Sequence, residues 1–489
     1  MAALIRLNEP VRIHEGGRVV ELPPLPLSEL GDPGFCRDHG LTRPYVSGSM
    51  ANGIGSVEIV QAMGSAGMLG FFGAAGLPVS QVEKAIDRIP QGIPHGFNLI
   101  HSPNEPALEE HVVDLYLRRG VKTIETSAYL DLTPHVVRYR VKGLAADASG
   151  RVVPANRILA KVSRVEVATK FLSPPPDAIL DALAAAGKIT EEEKRLARRI
   201  PMADDLTAEA DSGGHTDNRP AIALLPTMIA LRDRLAARHG FERPARVGLG
   251  GGISTPASVA AAFSMGAAYV LTGSVNQSCV ESGTSKTVRD MLCQAGQADV
   301  MMAPAADMFE MGVQLQVLKR GTMFGMRARR LYELYKSYPD WSAVPAEERG
   351  KVEKTMFRAT FDEIWRQTRA FFSERDPTQV GKAETDARHK MALVFRWYLG
   401  LSSHWANAGD ATRTVDYQIW CGPAMGAFNE WVAGTFLEKP ENRKVVTVAL
   451  NLLHGAAVLA RLQALRTLGI RLGPVDLAPR PREEVEALL

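Results

Sequence analysis

The sequence feature that most constrains the fold lies between residues 245 and 277. It opens with a short apolar run, Ala245–Leu249. Three successive glycines follow that run: Gly250, Gly251 and Gly252. Ser254 or Thr255 can cap the next helix, and Pro256 suits its first position. Because a second apolar run comes after the helix, the stretch is predicted to form a strand, a glycine turn, a short helix and another strand.

Both apolar runs end in small residues that could hold an anion. The second run, Ala268–Leu271, leads into Thr272, Gly273 and Ser274. In a strand–helix–strand unit both turns lie at the carboxyl ends of strands, where glycine N–H groups and helix N-termini attract negative charge. The loops after strands 7 and 8 of (β/α)8 barrels often bind phosphate in this way. The alternative is a packed unit whose glycines only make tight turns.

The same alternation of strands and helices extends back to residue 45. Eight strands are predicted: Tyr45–Met50, Met68–Phe72, His95–Ile100, Thr123–Thr126, Arg157–Val162, Asp205–Glu209, Ala245–Leu249 and Ala268–Leu271. Strands that alternate with helices favour a parallel α/β fold. We predict a (β/α)8 TIM barrel over residues 41–303, because eight strands can be counted and polar residues follow several of them. An open doubly wound sheet is the alternative.

The barrel is predicted to be flanked by a leader and a helical tail. Residues 1–40 are rich in Pro and Gly and are expected to pack on the barrel. The alternation stops after about residue 303, and residues 304–489 are predicted to form a large helical region. Its helices are predicted at Phe309–Tyr335, Thr355–Phe372, Lys390–Leu401, Met425–Phe436 and Val445–Leu468. All six tryptophans lie between Trp341 and Trp431, so this region should have its own aromatic core.

Charge and composition exclude several classes of partner and compartment. The net charge is 57 − 54 = +3 without a long basic block, so neither nucleic acid nor an anionic membrane is expected. The four cysteines form no CxxC pair, which argues against a disulfide framework and a zinc site. The N-terminus has no apolar signal core, and polar residues interrupt Val445–Leu468, which is predicted to be a buried helix. A cytoplasmic protein is expected, with a homodimer left open.

The sharpest chemical motif is a run of five residues: Asp211, Ser212, Gly213, Gly214 and His215. The glycines would let the backbone pass close to a ligand and aim an imidazole from a strand end. Histidine can donate a hydrogen bond or a proton near neutral pH. The alternative is a histidine that bonds loop carbonyls. A catalytic role is favoured because this motif and both glycine turns would lie on one face of the barrel.

Three further sites lie at or near the carboxyl ends of predicted strands, and Asn98 lies within the third strand near its end. Asn98 could hydrogen-bond a flat heterocycle, or it could bond nearby backbone. Lys161 is unusual at a strand end unless it meets an anion or an electron-rich ring edge, and a solvated lysine is the alternative. Met50, Ala51 and Asn52 offer small, flat surroundings at the end of the first strand, although Met50 could simply be a core residue.

Together these residues resemble the FMN-binding barrel of the nitronate monooxygenase and enoyl reductase superfamily. The resemblance rests on Met50-Ala51-Asn52, Asn98, Lys161, DSGGH at 211–215, GLGGGIS at 248–254 and LTGS at 271–274. In that superfamily the motif is usually Glu-Ala-Gly-Gly-His, so Asp-Ser-Gly-Gly-His is a mild departure. Residues 276–335 and 416–433 further resemble the trans-acting enoyl reductases (PfaD type) of polyketide and polyunsaturated fatty acid synthases.

This resemblance implies that hydride passes from NADPH through FMN to an α,β-unsaturated thioester on an acyl carrier protein. His215 would be catalytic, polarising the thioester carbonyl or helping to deliver the proton to Cα. The helical region would cover the flavin and shape the acyl tunnel. No metal is implied. The cofactor-binding residues would be Met50, Ala51, Asn52, Asn98, Lys161, Gly214, Gly250, Gly251, Gly252, Thr272, Gly273 and Ser274.

Two other functions fit part of the sequence. The barrel motifs fit an FMN oxidase acting on nitronates equally well, but a small substrate would not need the large helical region. A flavin-free docking subunit of a synthase is the second alternative. The intact glycine turns, Lys161 and His215 argue against it.

Overall fold

Eight parallel strands close into a barrel, which confirms the predicted fold class. In chain order we label them β1 (Tyr45–Ser47), β2 (Leu69–Phe72), β3 (Gly96–Ile100), β4 (Thr123–Ser127), β5 (Arg157–Val162), β6 (Asp205–Glu209), β7 (Arg246–Gly250) and β8 (Val270–Thr272). The barrel closes where β8 pairs with β1, with Val270 opposite Tyr45. This computed structural model describes residues 2–15, 18–102, 106–470 and 479–489.

The described chain divides into two compact units. The barrel unit comprises Met1–Ser212, Asp217–Gly283 and Ala427–Leu489. The second unit comprises Gly213–Thr216 and Thr284–Gly426. This division differs from the predicted boundary at residue 303, because the last part of the chain returns to the barrel. Residues 471–478 of the predicted helical region lie outside the described residues.

Helices of the barrel unit connect its strands. Those between the first and last barrel strands are Val57–Ser65, Val79–Arg88, Pro106–Arg119, Pro134–Val141, Val165–Phe171, Asp177–Ala185, Glu191–Ala197, Ala221–His239 and Pro256–Ser264. The helix after β7 begins as predicted: Thr255 accepts a hydrogen bond from the Ser258 N–H, and Pro256 takes the first position. A short helix, Ser274–Gln277, follows β8. A small hairpin, Ala145–Ala146 with Val152–Val153, lies between β4 and β5.

One end of the barrel interior is filled by aromatic and aliphatic side chains. Phe35 stacks on Tyr269 with ring centroids 4.2 Å apart, and both are fully buried. Phe71, Leu159 and Leu271 belong to the same core cluster. Because alternate residues of a strand share a face, Leu159 and Lys161 of β5 point to the same side of the sheet. Towards the carboxyl ends of the strands, therefore, the lining changes from apolar to charged.

The two ends of the chain both pack in the barrel unit. The N-terminal part contains a helix, Ala2–Ile5, a hairpin of Val11–Glu15 with Arg18–Leu22, and a helix, Pro33–His39. The C-terminal part contains Val445–Thr467, which packs along Pro256–Ser264. Short 3-10 turns complete the unit at Leu27–Glu29, Phe436–Glu438, Pro440–Asn442 and Val485–Leu488.

Among the described residues, only Val445–Thr467 is long and apolar enough to cross a membrane. However, 78% of its most apolar window is buried within the protein. A core helix meets the same criteria of length and composition. The helix is therefore buried, as the sequence predicted.

The second unit contains a small sheet and most of the later helices. Its antiparallel strands are Gly214–His215, Gln314–Leu318 and Val300–Pro304, in that spatial order. Its helical segments are Lys286–Cys293, Phe324–Ser337, Ala346–Val352, Glu353–Phe357, Phe361–Arg375, Pro377–Thr385, Ala387–Ala408 and Ala411–Asp416, and the helix Ala424–Val432 begins at its end. Glu353–Phe357 is a π-helical turn.

The prediction of one long helix over Phe309–Tyr335 is wrong. Residues Gln314–Leu318 form a strand, and the helix begins only at Phe324. The predicted aromatic core is present, with Trp341 stacked on Phe361 at 4.9 Å. One of the six tryptophans, Trp431, lies in the barrel unit instead, where its indole N–H donates to the Pro479 carbonyl at 2.7 Å.

Candidate functional site

A lysine held between two carboxylates lies near the carboxyl end of the barrel. The Lys161 Nζ atom is 3.6 Å from a carboxylate oxygen of Glu125 on β4 and 3.6 Å from one of Glu209 on β6. Its side chain is only 14% exposed, which excludes the solvated alternative. Burial disfavours the charged form of Lys161, but the two carboxylates outweigh burial and raise its pKa. Lys161 is therefore a fixed positive charge at neutral pH.

Glu125 connects this lysine to the first strand. Its side chain is fully buried. One carboxylate oxygen accepts hydrogen bonds from the backbone N–H of Ser49, at 3.0 Å, and from the Ser49 hydroxyl. Because the same oxygen faces Lys161, the carboxylate fixes the ammonium group relative to the turn after β1. A charge buried in this way remains favourable only while its partners stay in place.

Asn98 of β3 is bonded within the barrel wall. Its side-chain amide donates to the Glu125 carbonyl at 3.1 Å and to the Ser127 hydroxyl at 3.0 Å. The residue is only 3% exposed. These bonds match the structural alternative considered for Asn98. Its contact with a flat ring stays a prediction.

Met50, Ala51 and Asn52 form the turn after β1, and all three are half-buried. The Asn52 N–H donates to the Ala75 carbonyl at 2.7 Å, so this turn is tied to the one after β2. A Cβ added at Gly73 would lie 1.7 Å from the Met50 carbonyl oxygen. The two turns therefore approach each other as closely as a glycine permits. The flat surroundings at this strand end stay a prediction.

The three glycines at the end of β7 and in the turn after it serve different purposes. Gly250 ends the strand, and a Cβ there would press on Thr207 at 3.0 Å. Gly251 has φ +82°, and its Cβ would lie 2.6 Å from the carbonyl carbon of Ala210. Gly252 has φ +75° but nothing within 4 Å of its Cβ position. Packing therefore requires glycine at Gly251 and disfavours a side chain at Gly250, whereas Gly252 faces open space.

The turn after β8 shows a similar difference between neighbours. The Thr272 hydroxyl is buried, donates to the Tyr45 hydroxyl at 2.8 Å and accepts from Asn276 at 2.9 Å. Gly273 has nothing within 4 Å of its Cβ position. Ser274 opens the short helix after it and is half-buried. A ligand at this turn would meet backbone at Gly273 rather than the threonine hydroxyl.

Gly252 and Gly273 therefore form the most accessible backbone of the two turns. They follow β7 and β8, which are hydrogen-bonded neighbours in the barrel. Among the described residues, no backbone carbonyl accepts a hydrogen bond from either N–H. Free N–H groups beside open space suit an anion such as a phosphate.

The predicted histidine belongs to the second unit. Gly213 lies close to the backbone of Cys421. A Cβ atom added at Gly213 would be only 2.8 Å from the Cys421 nitrogen. The first glycine of the motif thus allows close packing inside the second unit rather than approach to a ligand. Gly214 has φ +80°, which favours glycine. The predicted place of His215 and Gly214 beside the glycine turns stays a prediction.

His215 has an acidic partner. Its Nε2 atom is 3.2 Å from Oδ1 of Asp307. The His215 side chain is 39% exposed, so its imidazole is accessible. Burial by itself raises the pKa of Asp307, but the hydrogen bond to His215 outweighs it and lowers the pKa. Asp307 is therefore a carboxylate at neutral pH.

Sequence reasoning missed three acidic residues: Glu125, Glu209 and Asp307. A signal existed for the first, because a glutamate in the middle of a predicted buried strand needs a partner. Glu209 ends β6 in the same way that Lys161 approaches the end of β5. No local signal pointed to Asp307, which is 92 residues from His215 in sequence.

Comparison with known proteins gives matches along most of the chain. It is 50% identical over 461 residues to one of the polyunsaturated fatty acid synthase subunits of Thraustochytrium sp., covering 92% of this chain and 31% of that protein. It is 45% identical over 434 residues to polyketide biosynthesis protein PksE of Bacillus subtilis, covering 88% of this chain and 56% of that protein. The chain thus spans only about a third to a half of these curated relatives.

A family model described as the inserted helical domain of [acyl-carrier-protein] S-malonyltransferase matches residues 338–417. This match covers only helices of the second unit. The crystal structure of the enoyl reductase domain of MlnA, from the macrolactin biosynthesis cluster of Bacillus amyloliquefaciens, is 41% identical with a TM-score of 0.86. That match covers 90% of this chain and all of the MlnA domain. The chain therefore belongs to the enoyl reductase family of polyketide and polyunsaturated fatty acid synthases, the family of the MlnA domain.

Proposed function

We propose that this protein is a trans-acting, FMN- and NADPH-dependent enoyl reductase. Its substrate would be an α,β-unsaturated thioester carried by the acyl carrier protein of a polyketide or polyunsaturated fatty acid synthase. The observation that carries the proposal is the match along the whole length of the MlnA enoyl reductase domain. The overall reaction consumes the enoyl thioester, NADPH and one proton, and yields the saturated thioester and NADP⁺.

The barrel has features that fit the phosphate of FMN. Gly252 and Gly273 face open space with their N–H groups unbonded among the described residues. The helix Pro256–Ser264 begins directly after the first of these turns. Backbone donors and a helix N-terminus together favour a phosphate over a neutral group. We therefore assign the phosphate to these two turns.

Lys161 is the residue we assign to the ring system of the flavin. It stays protonated because Glu125 and Glu209 lie 3.6 Å away on either side. When bound, the flavin would accept hydride from NADPH and pass it to the β-carbon of the enoyl thioester. A fixed positive charge would favour negative charge on the ring and hold the ring in one orientation. Met50, Ala51 and Asn52 would supply the flat surface at the end of β1.

His215 is the candidate residue for stabilising the thioester carbonyl or protonating Cα. As hydride reaches Cβ, negative charge develops on the thioester carbonyl and Cα must gain a proton. An imidazolium can donate a hydrogen bond to that oxygen or give its proton to Cα, becoming neutral imidazole. The acyl carrier protein would deliver the thioester, in keeping with relatives that are synthase components.

The test is an anaerobic flavin assay on the purified protein. We expect NADPH to bleach the flavin spectrum, and a 2-enoyl thioester on acyl carrier protein to restore it rapidly. His215→Ala should keep its flavin and its reduction by NADPH, while reoxidation by the thioester slows by about a hundredfold.

Each other outcome of this assay has a definite meaning. A flavin that NADPH bleaches but that the carrier-bound thioester does not reoxidise would overturn the proposal. Rapid reoxidation by a nitronate would then favour the oxidase. Protein that remains colourless after FMN is added would support a docking subunit instead.

A further inference from the structure

We propose that Asp307 is the positioning residue for His215, held in place by a hairpin of the second unit. This hairpin consists of strands Val300–Pro304 and Gln314–Leu318 and the connecting loop 305–313. The inference rests on the proposed function of His215. It adds that a carboxylate distant in sequence orients the imidazole and stabilises its protonated form.

The same hairpin holds both the backbone and the ring of the histidine. Gly214 and His215 pair antiparallel with Gln316 and Leu315 of the second hairpin strand. The loop leading into that strand carries Asp307, whose Oδ1 atom is 3.2 Å from His215 Nε2. A ring whose backbone and Nε2 atom are both held by one hairpin has less rotational freedom than a ring held through its backbone alone. Pre-orientation of this kind lowers the entropy that catalysis must otherwise overcome.

The loop 305–313 is also held in place by residues that follow Asp307 in the chain. Phe309 is fully buried, with ring centroids 5.4 Å from Tyr332 and 5.3 Å from Tyr335. Glu310 accepts a hydrogen bond from Arg396 at 3.3 Å. The loop is also closed by a bond from the Ala305 N–H to the Val313 carbonyl at 2.9 Å. These contacts fix the backbone next to Asp307, so its carboxylate can act as a rigid support.

The charges around Asp307 favour its ionised form. His215 contributes most to this, and Arg396 contributes from the helix Ala387–Ala408. The carboxylate of Glu310, three residues along the chain, is engaged with Arg396 and lies 4.0 Å from His389. A carboxylate beside an imidazole stabilises the imidazolium. That protonated form is the one that can give a proton to Cα of the substrate.

Asp307→Asn keeps the size and an acceptor oxygen but removes the charge. We expect reoxidation of reduced flavin by the carrier-bound enoyl thioester to slow by about tenfold. Reduction by NADPH and the KM for the thioester should change less than about twofold. The alkaline limb of the pH–rate profile should move to lower pH, because an imidazolium without its carboxylate loses its proton more readily. Asp307→Glu should restore part of the rate.

The matched control is Glu347→Gln. It removes the same charge from a side chain of the second unit that is 80% exposed. We expect wild-type kinetics in that variant. In a His215→Ala background, Asp307→Asn should cause no further loss, because a positioning residue acts only through the group it positions.

The possible failures are distinguishable. Wild-type protein that does not reduce the enoyl thioester overturns the proposed function, and this inference with it. If His215→Ala slows reoxidation but Asp307→Asn leaves both the rate and the pH profile unchanged, the function stands and the positioning role is wrong. An equal loss on adding Asp307→Asn to His215→Ala would also overturn it, since Asp307 would then act independently of the histidine.

Discussion

In the proposed phosphate site, the absence of a side chain at Gly252 leaves the backbone after β7 accessible to an anion. Close packing against backbone requires glycine at Gly251 and disfavours a side chain at Gly250, whereas Gly252 combines a positive φ with open space. The Cβ atom of a larger residue at Gly252 would therefore have no protein atom within 4 Å, and the side chain would enter the space assigned to the phosphate. The effect of a substitution at Gly252 on flavin binding can therefore be measured separately from its effect on stability.

Gly252→Leu is expected to yield flavin-free protein. Gly240→Leu is a matched control, because Gly240 has φ +65° and also has nothing within 4 Å of its Cβ position. A leucine in this backbone region costs roughly 1–2 kcal/mol at either site. Both variants should therefore lose similar stability in urea unfolding, while only Gly252→Leu should lose flavin absorbance. Full flavin occupancy in Gly252→Leu would refute the phosphate assignment.

Among the secondary-structure elements, the helix Val445–Thr467 holds the N-terminal segment of the barrel unit in place through hydrogen bonds. Arg461 on this helix is only 2% exposed. Its guanidinium donates to five backbone carbonyls, those of Leu4, Arg6, Leu7, Glu9 and Pro23. One side chain thus satisfies backbone acceptors that lie mostly outside regular sheets and helices.

Arg461→Met should destabilise the barrel unit by about 3 kcal/mol, because several buried carbonyls would lose their donor. The N-terminal segment should become the first site of limited proteolysis, ahead of global unfolding. Arg466→Met is the control, since Arg466 is exposed on the last turn of the same helix. Equal stability and equal protease resistance in the two variants would show that Arg461 is not the anchor.

The elements also show what could be predicted from the sequence. All eight barrel strands were located, because strands and helices alternate along this part of the chain. The strand Gln314–Leu318 was missed, although Gly312 and Gly321 flank it and its residues alternate in polarity. The amphipathic character of residues 309–335 predicted a single helix across the whole stretch. Its pairing with Gly214–His215 spans about 100 residues, and no local pattern shows such a pairing.

The same limit applies to the candidate site. Lys161 was identified from its place near a strand end, but its partners Glu125 and Glu209 come from strands before and after it in the chain. Asp307 reaches His215 only through the fold of the second unit. The position of a candidate residue within one strand–turn–helix segment could therefore be predicted from the sequence. The ion pairs and hydrogen bonds between segments that are distant in the sequence could not be predicted.

On the scale of the whole molecule, the chain alternates between its two units. It leaves the barrel unit at Gly213, returns at Asp217, leaves again at Thr284 and returns at Ala427. The predicted boundary at residue 303, where the alternation of strands and helices stops, does not describe this path. The last segment belongs to the barrel unit because the helix Val445–Thr467 packs there. The motif with His215 is accordingly an excursion of four residues from the barrel unit.

The opposite end of the barrel from the candidate site is held by a buried ion network. Asp205 at the start of β6 is fully buried. It accepts a hydrogen bond from Arg246 at 2.6 Å and lies 2.7 Å from His39 Nε2. Arg246 also donates to Asp38 at 2.8 Å. The network joins the helix Pro33–His39 to β6 and β7, so its loss should affect the barrel as a whole.

Asp205 should make this barrel sensitive to acid. Burial by itself raises the pKa of Asp205, but Arg246 and His39 outweigh it and lower the pKa from 3.8 to about 2. Because the unfolded chain binds this proton more readily than the native state, the stabilisation is complete above about pH 4. It is lost as pH falls towards about 2, and a shift of this size corresponds to about 2 kcal/mol.

Asp205→Asn should lower the free energy of unfolding by about 3 kcal/mol at neutral pH, since it leaves part of the charge of Arg246 uncompensated. Below about pH 4 the difference from wild type should shrink, because wild type then loses the same ion pair by protonation. Urea unfolding at about pH 7, 5 and 3 measures this convergence. Asp233→Asn, at a side chain that is 64% exposed, should follow the wild-type curve throughout. A constant difference between Asp205→Asn and wild type down to about pH 3 would show that the charge of Asp205 does not stabilise the barrel.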